Sequence, residues 1–302
     1  MIPANELPTL RDWLRFTVSR MGEAKLAFGH GSVEAYDEAA YLLLHALHLP
    51  LDRLEPFLDA KLTQDEREKL RELFTRRIDE RIPAAYLTHE AWLGDFRFYV
   101  DERVIIPRSF IAELIPGALE PYVGPASHVK TALDMCTGSG CLAILAARAF
   151  PKAQVDASDI SAAALQVAAR NVREHRLARR VRLVRSDLFA GLKQRYDLIV
   201  SNPPYVATPA MRVLPPEYRY EPGLALASGG QGLDHAGRIL AAVTRYLQPG
   251  GLLVCEVGDG KRALERAYPR LGLQWPQPEV FILEASRTAR ASRRPSRRPR
   301  VT

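Results

Sequence analysis

From residue 130 onward, short apolar runs of strand length alternate with longer segments of helical periodicity. Residues 131–135, 153–158, 181–184, 197–201, 252–257 and 280–284 read as strands. Residues 142–150, 161–174 and 233–247 read as helices, the last stopped by Pro249-Gly250-Gly251. Strand–helix alternation of this kind leads to a mostly parallel sheet covered by helices on both faces, because each strand must return parallel after its crossover. The expected fold class is therefore α/β and Rossmann-like, and no internal repeat is visible.

The residues before this pattern are of another kind. The first 85 read as a small N-terminal helical domain. Ser32 can cap a helix in which Tyr36, Ala39, Ala40, Leu43, Leu44 and Leu47 recur at helical spacing, and 63–81 reads as a second. His45 and His48 lie on the first helix without a carboxylate or cysteine cluster, so they read as a helix-end pair rather than a metal site. Residues 86–126 are expected to form a linker: a strand-like stretch over 90–106 that turns at Leu93-Gly94-Asp95, then Pro107, then a helix capped by Ser109 through Ile111, Leu114 and Ile115. The α/β domain is expected over 127–286.

Composition excludes several classes. Hydrophobic residues make up 47% and charged residues 25% of the 302, as in a globular protein. Three scattered cysteines make no disulfide framework, which fits a cytoplasmic setting. The N-terminus lacks the pattern of a signal peptide, and no apolar run is long enough for a membrane span. The formal charge is +7, yet seven arginines (287, 290, 293, 294, 297, 298, 300) lie in the last sixteen residues with no acid among them. Without them 35 basic residues face 35 acidic ones, so the body is formally neutral. Residues 287–302 are expected to be a disordered tail, open to non-specific RNA contact.

Leu133-Asp134-Met135-Cys136-Thr137-Gly138-Ser139-Gly140-Cys141 joins the first strand of the alternating region to its helix. Glycines here let the backbone turn tightly and approach a ligand, at the strand ends where doubly wound sheets bind ligands. Alone, such a loop serves equally well as a turn with no ligand. Asp159 follows the second strand, 21 residues beyond Gly138, where an acid can bind ribose hydroxyls; it could also cap the next helix, as could Ser161. Asp187-Leu188 follows the third strand, where Asp187 can accept from an adenine amino group. Together these point to a nucleoside cofactor without identifying it. The phosphate-loop pattern ending in Gly-Lys-Ser/Thr is absent.

The fourth strand ends in Asn202-Pro203-Pro204-Tyr205. Two prolines fix two φ angles and remove two backbone donors, leaving carbonyl acceptors. Asn202 adds an acceptor and a donor, and Tyr205 a flat aromatic face. Such a turn can grip an NH2 group on a planar system.

Asn-Pro-Pro-Tyr in this place resembles the motif of methyltransferases acting on amide or exocyclic amino nitrogens. The resemblance extends over roughly residues 30–270. Arg81-Ile82-Pro83-Ala84-Ala85-Tyr86-Leu87-Thr88, Val104-Ile105-Ile106-Pro107-Arg108-Ser109, Tyr220-Glu221-Pro222 with Leu224-Ala225-Leu226, and Gly232-Leu233-Asp234 are similar to segments of the protein glutamine N5-methyltransferases. One branch of that family modifies peptide-chain release factors, another the third protein of the large ribosomal subunit. Glu90-Ala91-Trp92, Asp101-Glu102-Arg103 leading into Pro107-Arg108-Ser109, and Ala227-Ser228-Gly229 resemble the ribosomal-protein branch. Three features depart from the family pattern: Phe110 where the branch usually has proline, Cys136 where a more general pattern has glycine, and a short segment over 274–284.

The resemblance implies a class I methyltransferase fold and S-adenosylmethionine as cofactor. It implies a cofactor site of Asp134, Cys136, Thr137, Gly138, Ser139, Gly140, Asp159, Asp187, Leu188 and Asn202. The acceptor site would be Asn202, Pro203, Pro204 and Tyr205, with no metal. The implied substrate is a glutamine of the free ribosomal protein, before assembly. A release factor, an adenine in nucleic acid, and a non-catalytic RNA- or ribosome-binding role through the arginine tail are the competing possibilities.

Overall fold

The computed structural model describes residues 2–29 and 31–286; the arginine-rich tail lies outside them. The chain divides into two units, Met1–Arg108 with Pro209–Leu226, and Ser109–Thr208 with Ala227–Thr302.

The first unit is mainly helical: α1 (Leu10–Glu23), α2 (Ala35–Ala46), α3 (Gln64–Ile78) and the short α4 (Ala84–Thr88). Thr9 with Asp12 and Thr63 with Glu66 form reciprocal capping boxes that start α1 and α3. The expected Ser32 cap is not made. α2 starts after Glu34, without a side-chain cap. Trp13, Met21, Leu42, Leu43, Leu70 and Phe74 form the core. The hairpin turns at Gly94-Asp95 between β1 (Glu90–Leu93) and β2 (Phe96–Tyr99). It does not run on to Ile106 as expected. Asp101 stops it by accepting the Arg103 N–H on its carboxylate and the Val104 N–H on its carbonyl, which closes a turn. The excursion Pro209–Leu226 carries two buried acids. Glu217 meets Arg81 at 3.1 Å and Arg77 at 3.9 Å, and Glu221 accepts from Arg108 at 2.6 Å.

The second unit begins with two short helices, α5 (Ile111–Leu114) and α6 (Glu120–Val123). Then come β3 (Thr131–Met135), α7 (Cys141–Ala149), β4 (Gln154–Asp159), α8 (Ala162–Glu174), β5 (Val181–Arg185), β6 (Tyr196–Ser201), α9 (Asp234–Ala242), β7 (Leu247–Glu256), α10 (Lys261–Ala267), β8 (Gln274–Gln277) and β9 (Val280–Glu284). The seven strands form one sheet in the order β5-β4-β3-β6-β7-β9-β8. The first five of that order are parallel, and β9 and β8 antiparallel. Strand order reverses beside β3, which opens a crevice at the carboxyl ends of β3 and β6.

Two boundaries differ from the sequence expectation. α9 stops at Ala242, and β7 starts at Leu247 and runs through Pro249-Gly250-Gly251. Pairing jumps from Tyr196↔Leu247 to Leu198↔Leu252, so those residues form a bulge, helped by φ +78° at Gly250. β8 was not anticipated. Its partner β9 pairs along β7 from Leu252 to Glu256. Among the described residues no helix is long and apolar enough to cross a membrane.

Candidate active site

Two loops leave the sheet side by side at the switch point. Met135 at the end of β3 lies opposite Ser201 at the end of β6, and Ser201 Oγ donates to the Met135 carbonyl at 2.9 Å. The glycine loop 136–140 and the turn 202–205 follow directly.

The loop is fixed from several directions. Thr137 N donates to Ser158 O at 2.9 Å, Gly138 N to Asp159 Oδ2 at 3.0 Å, and Asn171 Nδ2 to Ser139 O at 2.8 Å. Gly140 has φ +82°, and a Cβ there would lie 3.1 Å from that of Ala168, so α8 excludes any side chain. Gly138 has φ +53°, and a Cβ there would meet nothing within 4 Å. Its glycine serves the turn and leaves the backbone open to close approach. Cys136 holds φ +61° without being glycine, a strain of about 1–2 kcal/mol.

Asp134 supports the loop from below. Its Oδ2 accepts from Thr137 Oγ1 at 2.5 Å and Ala143 N at 2.8 Å, while Oδ1 is buried without a hydrogen-bond partner. Burial pushes its carboxyl up to about 7, against the pull of those two donors. Asp159 closes β4 and joins the loop to the next helix, accepting Gly138 N and, at 2.8 Å, Ser161 N. Burial raises its pKa also. Ser161, not Asp159, caps α8, accepting Ala164 N at 3.1 Å. A carboxylate has about four acceptor positions, so Asp159 retains capacity for a hydroxyl pair. Asp187 is half exposed and pairs with Arg238 at 2.7 Å. Leu188 has its side chain in the core with Phe189 and Leu192, which leaves only its main chain for a ligand.

In the turn, Pro203 and Pro204 are buried and Asn202 and Tyr205 partly so. Among the described residues nothing hydrogen-bonds the Asn202 side-chain amide, so its donors and acceptor are uncommitted. Tyr205 is held on three sides. Its hydroxyl donates to Glu256 Oε1 at 3.2 Å. A Cβ on Gly258 would lie 2.7 Å from its ring, and one on Gly232 2.2 Å from its carbonyl oxygen. Both glycines have positive φ, +51° and +75°.

Residues 122–214 match the family described as Methyltransferase small domain. The chain is 56% identical over 285 residues to the ribosomal protein uL3 glutamine methyltransferase of Neisseria meningitidis serogroup A, covering 93% of this chain and 94% of that one. The chain belongs to the uL3 glutamine methyltransferase family. The proteins of the same name from Bordetella pertussis (56% over 271 residues, 89% and 91% covered) and Bradyrhizobium diazoefficiens (50% over 293 residues, 93% and 92%) agree. The resemblance to the ribosomal-protein branch is thereby borne out.

In this methyltransferase the two loops are held by residues that the sequence did not single out for the site. Asn171 and Ala168 on α8 shape the glycine loop, Gly258 seats the Tyr205 ring, and Glu256 holds its hydroxyl. Glu256 had one visible signal, a single acid in the apolar run 252–257. Ser109, expected to cap a helix, accepts Ile111 N at 3.2 Å beside α5 but donates its own proton to Glu256 at 2.6 Å. Ser228 accepts His235 N at 3.1 Å, so this branch-like residue secures the start of α9. S-adenosylmethionine fits the first loop: an open Gly138 backbone, an unpartnered buried oxygen on Asp134 beneath it, and Asp159 at the neighbouring strand end.

Proposed function

We propose that this methyltransferase moves a methyl group from S-adenosylmethionine to the side-chain nitrogen of a glutamine in free uL3, before ribosome assembly buries it. The supporting observation is the placement of 202–205 at the end of β6, directly beside the glycine loop at the end of β3. The backbone of 137–140 and Asp159 hold the cofactor, with Asp187 at its base. Ile160, 46% exposed beside Asp159, offers an aliphatic face for the flat purine.

S-adenosylmethionine supplies an electrophilic methyl group on a good leaving group, so alignment is the main requirement. The difficulty lies with the acceptor, because an amide nitrogen shares its lone pair with its carbonyl. Asn202 Oδ1 and the Pro203 carbonyl accept the two amide N–H protons, which orients the nitrogen and favours the charge that develops on it. The two prolines keep that carbonyl in place, and Tyr205 packs on the flat amide. As the N–CH3 bond forms the S–CH3 bond would break, leaving S-adenosylhomocysteine, and the methylated nitrogen would lose one N–H proton to solvent; no histidine is assigned as a general base. The arginines of 287–302 add a salt-sensitive attraction to RNA.

The test is to incubate the purified protein and labelled cofactor separately with uL3, a release factor and nucleic acid, and to locate the label by mass spectrometry. Label on a uL3 glutamine is expected, lost in Asn202→Ala although the variant still binds cofactor. Label only on a release-factor glutamine, or only on adenine, overturns the assignment.

A further inference from the structure

Glu256 ends β7, one strand from the motif strand, and only 1% of it is exposed. It gathers three donors from two separate segments. Tyr205 Oη reaches Oε1 at 3.2 Å, and Ser109 Oγ and Phe110 N reach Oε2 at 2.6 and 3.1 Å. All three are donors, so the group they suit is the ionised carboxylate. A buried carboxylate is costly unless so satisfied, and an apolar residue would fill the strand position at less cost.

Each donor belongs to something the acceptor site uses or borders. Tyr205 is the aromatic wall of the motif. Ser109 and Phe110 form the turn into α5, and Phe110 is 40% exposed. Gly258, two residues beyond Glu256, presses against the other edge of the Tyr205 ring. The end of β7 thus fixes the ring at both its hydroxyl and its edge. Pro203 and Pro204 fix only the backbone before it.

We propose that Glu256 is a positioning residue of the acceptor site, setting the Tyr205 ring and the Ser109-Phe110 turn in register so that the acceptor amide has one pose. The role rests on the assignment of 202–205 to the acceptor nitrogen.

Glu256→Gln keeps the shape and one acceptor oxygen but removes the charge and places an NH2 where an acceptor stood. Turnover with saturating cofactor and uL3 should fall 10- to 100-fold, with cofactor affinity by calorimetry within about twofold of wild type. Tyr205→Phe removes the same hydrogen bond from the less buried partner and serves if the buried substitution fails to fold. It should lower kcat about tenfold, and the double variant should be within about threefold of the worse single one. Wild-type kcat in Glu256→Gln or in Tyr205→Phe overturns the proposal. So do penalties that multiply in the double variant, or a loss confined to thermal stability and cofactor affinity. The wild-type protein and Asn202→Ala run in the same assay separate this outcome from the other: if the wild type labels no protein glutamine, the acceptor assignment has failed instead.

Discussion

Replacing Gly258 by alanine tests how tightly the acceptor turn must be held. At φ +51° an alanine costs about 1–2 kcal/mol in backbone strain. Its Cβ would lie 2.7 Å from Cε2 and 2.9 Å from Cδ2 of Tyr205, where carbon atoms pack at about 3.5–4.0 Å. The ring must therefore retreat by roughly 1 Å. The hydroxyl bond to Glu256, already 3.2 Å long, does not survive such a shift. A misplacement of ~1 Å near the reacting atoms can cost ~100-fold in rate, so a single-turnover loss of about 10- to 100-fold is expected. The glycine loop rests on β4 and α8 instead, so cofactor affinity measured by calorimetry should change by less than about twofold. The melting temperature should drop by roughly 2–8 °C for that strain. A variant with the lower melting temperature and an unchanged single-turnover rate would refute the idea that the ring's position governs the chemistry.

Asp159→Ala removes the acceptor assigned to ribose together with the carboxylate that accepts Gly138 N and Ser161 N, and cofactor affinity should weaken by ~1–3 kcal/mol; unchanged binding removes Asp159 from the site. Asp134 bears on stability. Its carboxyl rises from an ordinary 3.8 to about 7 in the fold, so its contribution is fully present below about 3.8 and is lost as pH rises through about 7. Asp134→Asn carries no charge to bury, so urea titrations should show it gaining on wild type between pH 5 and 8, by at most about 3 kcal/mol. Parallel stability curves over that range would mean that the buried oxygen does not titrate.

The sheet was legible because alternation is a local signal: 131–135, 153–158 and 197–201 each carry their own apolar run. What the sequence left out depends on distant pairing. β7 begins at Leu247, two residues before the Pro249-Gly250-Gly251 segment that reads as a helix stop, because Tyr196 pairs there across a bulge. β8 reads as Gln-Trp-Pro-Gln and exists because β9 supplies its ladder. Around the site, the positions of Gly138, Asp159 and Asn202 were legible because each lies at or just after the end of its own strand. Ser109 could not be assigned correctly, since its partner is 147 residues away and serine before a helix already has a sufficient local explanation. Phe110, a departure from the branch pattern, acquires meaning only through its backbone bond to the same carboxylate. Leu188, a cofactor residue by the family resemblance, has its side chain in the core, which leaves its main chain for a ligand.

The excursion 209–226 governs how this chain could be taken apart. It begins four residues after Tyr205, yet its acids find their cations on the first 108 residues: Glu217 on Arg77 and Arg81, Glu221 on Arg108. Excising 1–108 as if it were a detachable module would leave Glu217 and Glu221, in the stretch that follows 202–205, without the arginines that pair with them. The two feet of the excursion are meanwhile already tied, Val206 to Ala227 by a bridge and Thr208 N to Gly229 O at 2.8 Å. A self-standing catalytic fragment therefore requires two edits. The chain must start near Ser109, and 209–226 must be replaced by a short bridge from Thr208 to Ala227.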